Sequence, residues 1–110
     1  MMRFGLSEHI HTLLRNVFQG YSEIEEVRVF GSRAMNKHQN YSDIDLVIFG
    51  NIDTLSLGRL AVELDELPLP QTFDVQAYAQ ITHPDLKKHI DQFGKIIFQQ
   101  HTSKIVKDPK

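Results

Sequence analysis

The amino-acid sequence predicts an α/β domain with the element order α-β-α-β-α-β-α, in which three strands form one small sheet and the helices lie on one face of it. Three observations lead to this prediction. Apolar residues recur at steps of three and four in several segments, as they do in amphipathic helices. Three shorter segments alternate apolar and polar residues, which is typical of half-buried strands. In two of these strands aspartates fall out of phase with the apolar residues, so we expect them on the face without helices.

Length and composition restrict the class of protein. With 110 residues the chain fits one domain, which we expect to span residues 1–102, followed by a frayed tail at 103–110. A formal net charge of −2 lacks the basic excess with which proteins bind long nucleic acids. The absence of cysteine excludes disulfides and thiolate metal sites. No apolar run approaches the ~20 residues of a membrane span and no export signal opens the chain, so we expect a cytoplasmic protein.

The first element is an amphipathic helix over residues 6–18. Ser7 is placed to cap its N-terminus and Gly20 to end it. Its apolar face consists of Leu6, Ile10, Leu13, Leu14, Val17 and Phe18. This regular spacing predicts that the helix packs on the sheet along one side.

The first strand, over residues 23–30, ends at a Gly31-Ser32 turn. Glycine permits a close backbone approach, and serine can cap the loop or short helix that follows. A strand that enters a helix through such a turn points backbone N–H groups outward. The turn therefore predicts a phosphate-binding site.

The second strand, over residues 42–49, carries Asp43 and Asp45 two positions apart, so both carboxylates project from the same face. The opposite face consists of Ile44, Leu46 and Ile48. Two carboxylates on one face repel each other, and a divalent cation relieves that repulsion. Since Mg²⁺ prefers carboxylate and phosphate oxygens, we expect a Mg²⁺ site at this strand.

Two helices and one strand complete the predicted domain. A helix over residues 54–67 begins at Thr54 as its cap, a strand covers residues 72–78, and Thr82 caps the final helix. Residues 95–98 either continue that final helix or form an edge strand. The pattern of apolar residues does not choose between these two alternatives.

The phase of the third strand predicts a third carboxylate at the site. If Phe73 and Val75 pack on the same helices as the apolar face of the second strand, then Asp74 must lie beside Asp43 and Asp45. A register slip of one residue would bury all three acids. The hydrophobic pattern therefore predicts the geometry of the site.

The spacing of these residues resembles the G-S-x10-D-x-D signature of the DNA polymerase β-like nucleotidyltransferase superfamily. Here Gly31-Ser32 is followed after ten residues by Asp43-Ile44-Asp45. In length the chain is similar to the minimal nucleotidyltransferases, which typically pair with a small helical HEPN-type protein. The resemblance implies a nucleotidyltransferase fold with a mixed sheet, whereas the pattern alone leaves mixed and parallel sheets open.

The resemblance also implies roles for the site residues. Asp43, Asp45 and Asp74 would be catalytic and would hold two Mg²⁺ ions, while Gly31 and Ser32 would bind the β- and γ-phosphates of ATP. Three carboxylates suit phosphoryl-type transfer, which requires mainly positioning and charge neutralisation.

The segment after Ser32 is less clear from the sequence. Arg33 either contacts a phosphate or pairs with a surface acid, and many relatives carry Arg-Gly where this chain has Met35-Asn36. The polar loop residues Lys37 and His38 are expected to be solvated. His83, His89 and His101 have no spacing that forms a site.

The function implied by the resemblance is transfer of AMP from ATP to a hydroxyl group, that of a tyrosine, on a HEPN-type toxin, with this chain as its antitoxin. Two alternatives stay open. The chain could be a non-catalytic module that neutralises a helical partner by complex formation, or it could transfer a nucleotide to a small molecule. For a partner we expect an apolar docking surface near the end of the chain, made of Phe93, Ile96, Ile97 and Phe98.

Overall fold

A computed structural model of the protein describes residues 4–35 and 43–100. The helices are α1 (Glu8–Phe18), α2 (Thr54–Asp65) and α3 (Pro84–Phe93), and the strands are β1 (Ile24–Phe30), β2 (Ile44–Gly50), β3 (Phe73–Ala77) and β4 (Lys95–Gln99). A short 3₁₀ turn, Tyr78–Gln80, follows β3. Residues 31–35 form a turn rather than a helix. The rest of the predicted polar loop, with Lys37 and His38, and the predicted tail at 103–110 lie outside the described residues.

The sheet is mixed, as the resemblance implied, and the described residues contribute four strands to it instead of the predicted three. Its strand order is β3-β2-β1-β4. The strands β2 and β3 run parallel, whereas β1 is antiparallel to both of its neighbours. None of the described helices is long and apolar enough to cross a lipid bilayer.

The fourth strand answers the question that the sequence left open at residues 95–98. The Gly94 N–H donates to the carbonyl of Ile90 at 2.8 Å, and Gly94 then leaves the helix with an extended ψ of 136°. A Cβ at this position would lie 2.6 Å from the Ile90 carbonyl oxygen, so glycine permits the exit. The following residues pair with β1 and cover an edge that would otherwise expose unpaired backbone groups.

The main core lies between one face of the sheet and the helices α1 and α2. The fully or nearly fully buried residues on this side are Leu14, Phe18, Val27, Val29, Ile44, Leu46, Ile48, Leu60 and Leu64. Those in α1 and β2 are among the residues that the helix-period and strand-period patterns placed on the apolar faces. Burial of this set on one side orients the alternate residues of β2 and β3 toward the other side.

The helix α3 packs on the opposite face of the sheet, so the prediction that all helices lie on one face is wrong. A second apolar cluster consists of Phe30, Val47, Ile81 and Ile90, with Phe49, Tyr78 and Leu86 packed against it. Val47 is fully buried although it shares the phase of Asp45. After Asp45, β2 carries apolar residues on both faces. The second face must therefore also be shielded from water, and α3 packs on it.

The helix caps agree with the prediction at α1 and differ at α2 and α3. The Ser7 hydroxyl accepts from the Ile10 N–H at 3.3 Å. At α2 the cap is Asp53 instead of Thr54, since the Asp53 carboxylate accepts from the Ser56 N–H at 2.8 Å. At α3 the cap position belongs to His83 instead of Thr82, because the proline that follows takes the first helical position.

Candidate active site

The acidic residues come together at the edge of the sheet where β1 ends and both β2 and β3 begin. In the register of the sheet Asp45 lies directly beside Phe30 on one side and beside Asp74 on the other. Neighbouring strands are ~4.8 Å apart. The parallel pairing of β2 with β3 therefore sets the Asp45 and Asp74 carboxylates next to each other on one face, as the phase of the third strand predicted.

Thr72, the residue before β3, positions Asp43. Asp43 lies just before β2 and is exposed, and its carboxylate accepts a hydrogen bond from the Thr72 hydroxyl. Thr72 also accepts the Ile44 N–H at its carbonyl oxygen, at 2.9 Å. These two bonds hold Asp43 at the start of β3, on the side where Asp74 lies.

Asp45 is the electrostatic centre of the group. Its half-buried carboxyl has a pKa above the usual value, first because burial disfavours the charge and then because Asp74 and Asp43 repel it. The positive charge of Arg33 and the nearby His89 act in the opposite direction. The three carboxylates are thus near enough to influence one another, which is the condition that a bound cation relieves.

The residues fit a divalent cation in their chemistry and register, although they do not form a preassembled cluster. Within residues 4–35 and 43–100, no three acidic or histidine side chains converge closely enough to make a metal site by themselves. Oxygen-only ligands from Asp43, Asp45 and Asp74 are the set that Mg²⁺ prefers.

The Gly31 turn touches the carboxylate of Asp45. Gly31 has φ of 76°, a conformation that favours glycine, and its carbonyl accepts from the Met35 N–H at 3.2 Å. A Cβ on Gly31 would collide with Oδ2 of Asp45. The glycine is therefore required both by the turn and by the acid beside it, which brings the predicted phosphate turn and the predicted metal ligands into one site.

Arg33 lies inside the protein. Its side chain is 1% exposed, and Nη1 donates to the carbonyl of Phe4 at 2.9 Å. Burial lowers the pKa of Arg33, and Asp45 opposes that shift. The guanidinium thus ties the turn to the N-terminal segment and offsets part of the negative charge of the acids. Contact of Arg33 with a nucleotide phosphate stays a prediction.

His89 is the residue at this site that the sequence analysis did not assign. Its Nε2 accepts a hydrogen bond from the backbone N–H of Gly31 at 3.1 Å. The two residues are 58 positions apart, so no local motif connects them. The only signal in the sequence is helical spacing: His89 follows Leu86 by three and precedes Phe93 by four, which puts it on the side of α3 that faces the sheet.

A cavity of about 600 Å³ lies elsewhere, between α1 and α2. It is lined in part by Leu13, Val17, Tyr21, Arg59 and Glu63. The Tyr21 hydroxyl donates to Glu63 at 2.8 Å, and burial together with this bond raises the pKa of Tyr21 to about 12. The cavity lies on the side of the sheet that α1 and α2 cover, away from the acids, and a hydrogen-bonded tyrosine offers no reactive group. We therefore place the candidate active site at the carboxylates, on chemistry rather than on volume.

The family model described as "Polymerase beta, Nucleotidyltransferase" matches residues 13–103 of the chain. This range includes the Gly31 turn and all three acids. A search of curated protein sequences found no match.

Several solved structures share the fold. A toxin-antitoxin crystallised with AMP-PNP has a TM-score of 0.68 at 16% identity, and the match covers 87% of this chain and 78% of that chain. The toxin-antitoxin MntA-HepT has a TM-score of 0.65 at 15% identity, with 86% and 74% covered. A tri-AMPylated Shewanella oneidensis HEPN toxin in complex with an MNT antitoxin has a TM-score of 0.57 at 19% identity, with 89% and 73% covered. At these identities the likeness establishes the fold.

Proposed function

The chain belongs to the Polymerase beta nucleotidyltransferase family, and from this premise we propose that it transfers AMP from ATP to a hydroxyl group of a HEPN-type toxin, acting as the antitoxin of that toxin. The observation that carries the proposal is the pairing of Asp45 with Asp74 across the parallel strands, beside the Gly31 turn. One edge of the sheet thus brings the turn that we propose to bind phosphate beside carboxylates of the kind that phosphoryl-type transfer needs.

In the proposed reaction the hydroxyl oxygen of the acceptor forms a bond to the α-phosphorus of ATP, and the bond from that phosphorus to the pyrophosphate oxygen breaks. Asp74, whose side chain is exposed on β3, would help to take the proton of the attacking hydroxyl. Gly31 and Ser32 would hold the β- and γ-phosphates through the backbone of the turn. Two Mg²⁺ ions held by Asp43, Asp45 and Asp74 would supply neutralisation of the triphosphate charge.

The partner is proposed from the structural neighbours. One neighbour was crystallised with AMP-PNP, and another is a complex of an MNT antitoxin with a tri-AMPylated HEPN toxin. Since these chains share the fold over most of their length, their chemistry supports a HEPN-type toxin as the acceptor and a hetero-oligomer as the working assembly. Tyrosine is our choice of acceptor hydroxyl.

The surface proposed for the partner is smaller than the sequence predicted. Phe93 is 40% exposed and Ile96 is 45% exposed, at the end of α3 and on the edge strand β4. Phe98 is buried in the main core, and Ile97 is half-buried against it. We call Phe93 and Ile96 the terminal patch. It offers apolar contact area next to the face that carries the acids, since α3 packs on that face.

The test first identifies the protein that the neighbouring open reading frame encodes, then co-expresses it with this chain and analyses it by mass spectrometry. We expect the mass of one or more added AMP groups, and no added mass when Asp43→Asn replaces the wild type. The reaction also predicts that ATP binds with Mg²⁺ and fails to bind in chelator, because the acids alone would repel a triphosphate.

The alternative is neutralisation by complex formation alone, for which the exposed terminal patch is the supporting observation. If the Asp43→Asn variant neutralises the toxin as well as the wild type does and the toxin carries no added mass, neutralisation is by complex formation and not by AMP transfer. Equal ATP affinity with and without Mg²⁺ would contradict the two-metal mechanism. Transfer to a small molecule instead would appear as AMP on that compound with an unmodified partner.

A further inference from the structure

We propose that His89 is a gate on the triphosphate-binding turn: its imidazole holds the Gly31 N–H that a phosphate oxygen takes when a nucleotide binds. The inference rests on the proposed function, because it assumes that the Gly31 turn receives the triphosphate. It assigns a role to a residue of α3, the element that the sequence placed on the opposite side of the sheet.

The hydrogen bond between the turn and α3 carries the argument. The Gly31 N–H donates to Nε2 of His89 at 3.1 Å, so Nε2 is the acceptor and the imidazole proton sits on Nδ1. A backbone N–H has one proton and makes one strong bond. A phosphate oxygen that takes this proton must therefore displace Nε2.

The packing of the imidazole keeps it over the turn. Its ring meets the edge of Phe30 at a centroid distance of 6.2 Å and the ring of Phe93 at 5.4 Å. The neighbouring Ile90 is fully buried in the apolar cluster beneath α3, which fixes the helix on the sheet. His89 itself is half-buried, so the imidazole has solvent on one side into which it can turn.

The electrostatic surroundings fit a gate better than a purely structural contact. Asp45 touches the same turn from the other side, so the Gly31 amide lies between a carboxylate and the imidazole. The imidazole accepts the hydrogen bond of the Gly31 N–H and, unlike a phosphate, places no negative charge beside Asp45. An anionic ligand at the same amide requires that the repulsion be relieved first. His89 therefore occupies the amide in the state without nucleotide.

This arrangement has a consequence for ligand selectivity. Every ligand that places a phosphate on the Gly31 amide must break one hydrogen bond, whereas a ligand without the β- and γ-phosphates leaves His89 in place. The gate lowers affinity for ATP and leaves affinity for adenosine unchanged. A side chain that fills the same space without an acceptor removes this cost.

The experiment compares His89→Phe with His83→Phe. Phenylalanine keeps an aromatic ring against Phe30 and Phe93 and removes the acceptor. His83 is exposed at the N-cap position of the same helix and its side chain makes no capping bond, so it is a matched control. Calorimetry with ATP and Mg²⁺ should give a dissociation constant lowered about fivefold for His89→Phe, the net contribution of one hydrogen bond, and unchanged for His83→Phe. Adenosine should bind both variants and the wild type equally.

A dissociation constant for ATP that stays equal or rises in His89→Phe would overturn the gate, and an equal gain for adenosine would overturn its dependence on phosphate. If wild-type protein fails to bind ATP with Mg²⁺, the proposed function falls together with the gate. If wild type binds and only the His89 comparison fails, the proposed function stands alone.

A second measurement on the wild type covers the case in which His89→Phe does not fold. The ¹⁵N resonance of His89 Nε2 and the amide resonance of Gly31 should both move when ATP and Mg²⁺ are added, since their hydrogen bond is broken. Unmoved resonances with bound ATP would overturn the gate.

Discussion

At the scale of single residues, Asp45 connects the elements of the site. It lies beside Asp74 in the register of the sheet, and it contacts the turn at Gly31. It also lies near enough to the buried guanidinium of Arg33 for the two charges to influence each other. A carboxylate placed among these groups lowers the stability of the fold, because its charge is partly desolvated and repelled by two other acids.

Replacement of Asp45 by asparagine should raise the melting temperature of the metal-free protein at pH 7. The folded pKa of Asp45 lies above its unfolded value, so ionisation weakens folding as pH rises through the folded pKa. The difference between variant and wild type should therefore shrink as pH falls toward about 4, the usual aspartate range. Thermal denaturation in chelator at a series of pH values measures it.

The control for this comparison is Asp65→Asn, because Asp65 is exposed at the end of α2. A gain in melting temperature for Asp45→Asn that stays constant over the whole pH series would contradict the electrostatic account. The Asp45→Asn variant should also lose AMP transfer. A variant that is inactive and still folded shows that the loss of activity is not due to unfolding.

Gly31→Ala should destabilise the protein by at least ~1–2 kcal/mol, the cost of a left-handed backbone for a residue with a Cβ. The collision of that Cβ with the Asp45 carboxylate adds to it. Gly58→Ala in α2 is the matched control, since its Cβ would meet nothing within 4 Å. It should stabilise the protein by about 0.5–1 kcal/mol. Urea denaturation of both variants checks the pair, and an equal effect of the two changes would refute the argument.

At the scale of elements, the helix starts show how an N-terminal cap is chosen. Asp53 and Thr54 are adjacent and both are good capping residues. In the structure the Asp53 carboxylate accepts from the Ser56 N–H, and Thr54 becomes the first residue of α2. The hydrogen bonds from Ser56 lower the pKa of Asp53.

Asp53→Ala should lower the melting temperature at pH 7, and Thr54→Ala should leave it nearly unchanged. The depressed pKa means that Asp53 stabilises the fold above the unfolded pKa and loses this effect as pH falls through the folded pKa. The deficit of Asp53→Ala should therefore begin to shrink as the pH falls below about 4 and decrease further through the folded pKa. A larger loss for Thr54→Ala in the same thermal scans would restore Thr54 as the cap.

At the scale of the whole molecule, the position of α3 joins the site to the surface proposed for the partner. The helix packs on the face of the sheet that carries the acids, contributes His89 to the Gly31 turn, and ends at the exposed Phe93. A partner bound to the terminal patch would lie at the C-terminal end of α3, one helical turn from His89 and the Gly31 turn. Phosphoryl-type transfer requires such positioning of the acceptor hydroxyl.

The double variant Phe93→Ser with Ile96→Ser should lose co-purification of the HEPN-type partner while keeping its fold, since both side chains are already exposed in the chain alone. Leu55→Ser is the matched control, because Leu55 is 76% exposed and lies on α2, on the opposite side of the sheet. Affinity co-purification followed by circular dichroism of the free variants measures both effects. Loss of the partner with Leu55→Ser instead would move the interface to α2.

The sequence by itself determined the phase of the strands and hence the common face of Asp43, Asp45 and Asp74. This was possible because alternation of apolar and polar residues is a local property, and burial of Ile44 and Leu46 leaves the acids a single direction. The spacing of Gly31 from the acids likewise needs only the chain itself.

Only the tertiary structure decided the fourth strand, the side on which α3 packs, and the bond from Gly31 to His89. A short apolar segment such as residues 95–98 suits a helix or a strand, and its partner β1 is distant in sequence. Val47 shares the phase of Asp45 and is nevertheless buried, so alternation could not show that this face is covered. The hydrogen bond to His89 spans 58 positions and exists because two packed elements meet, a property that no local pattern records.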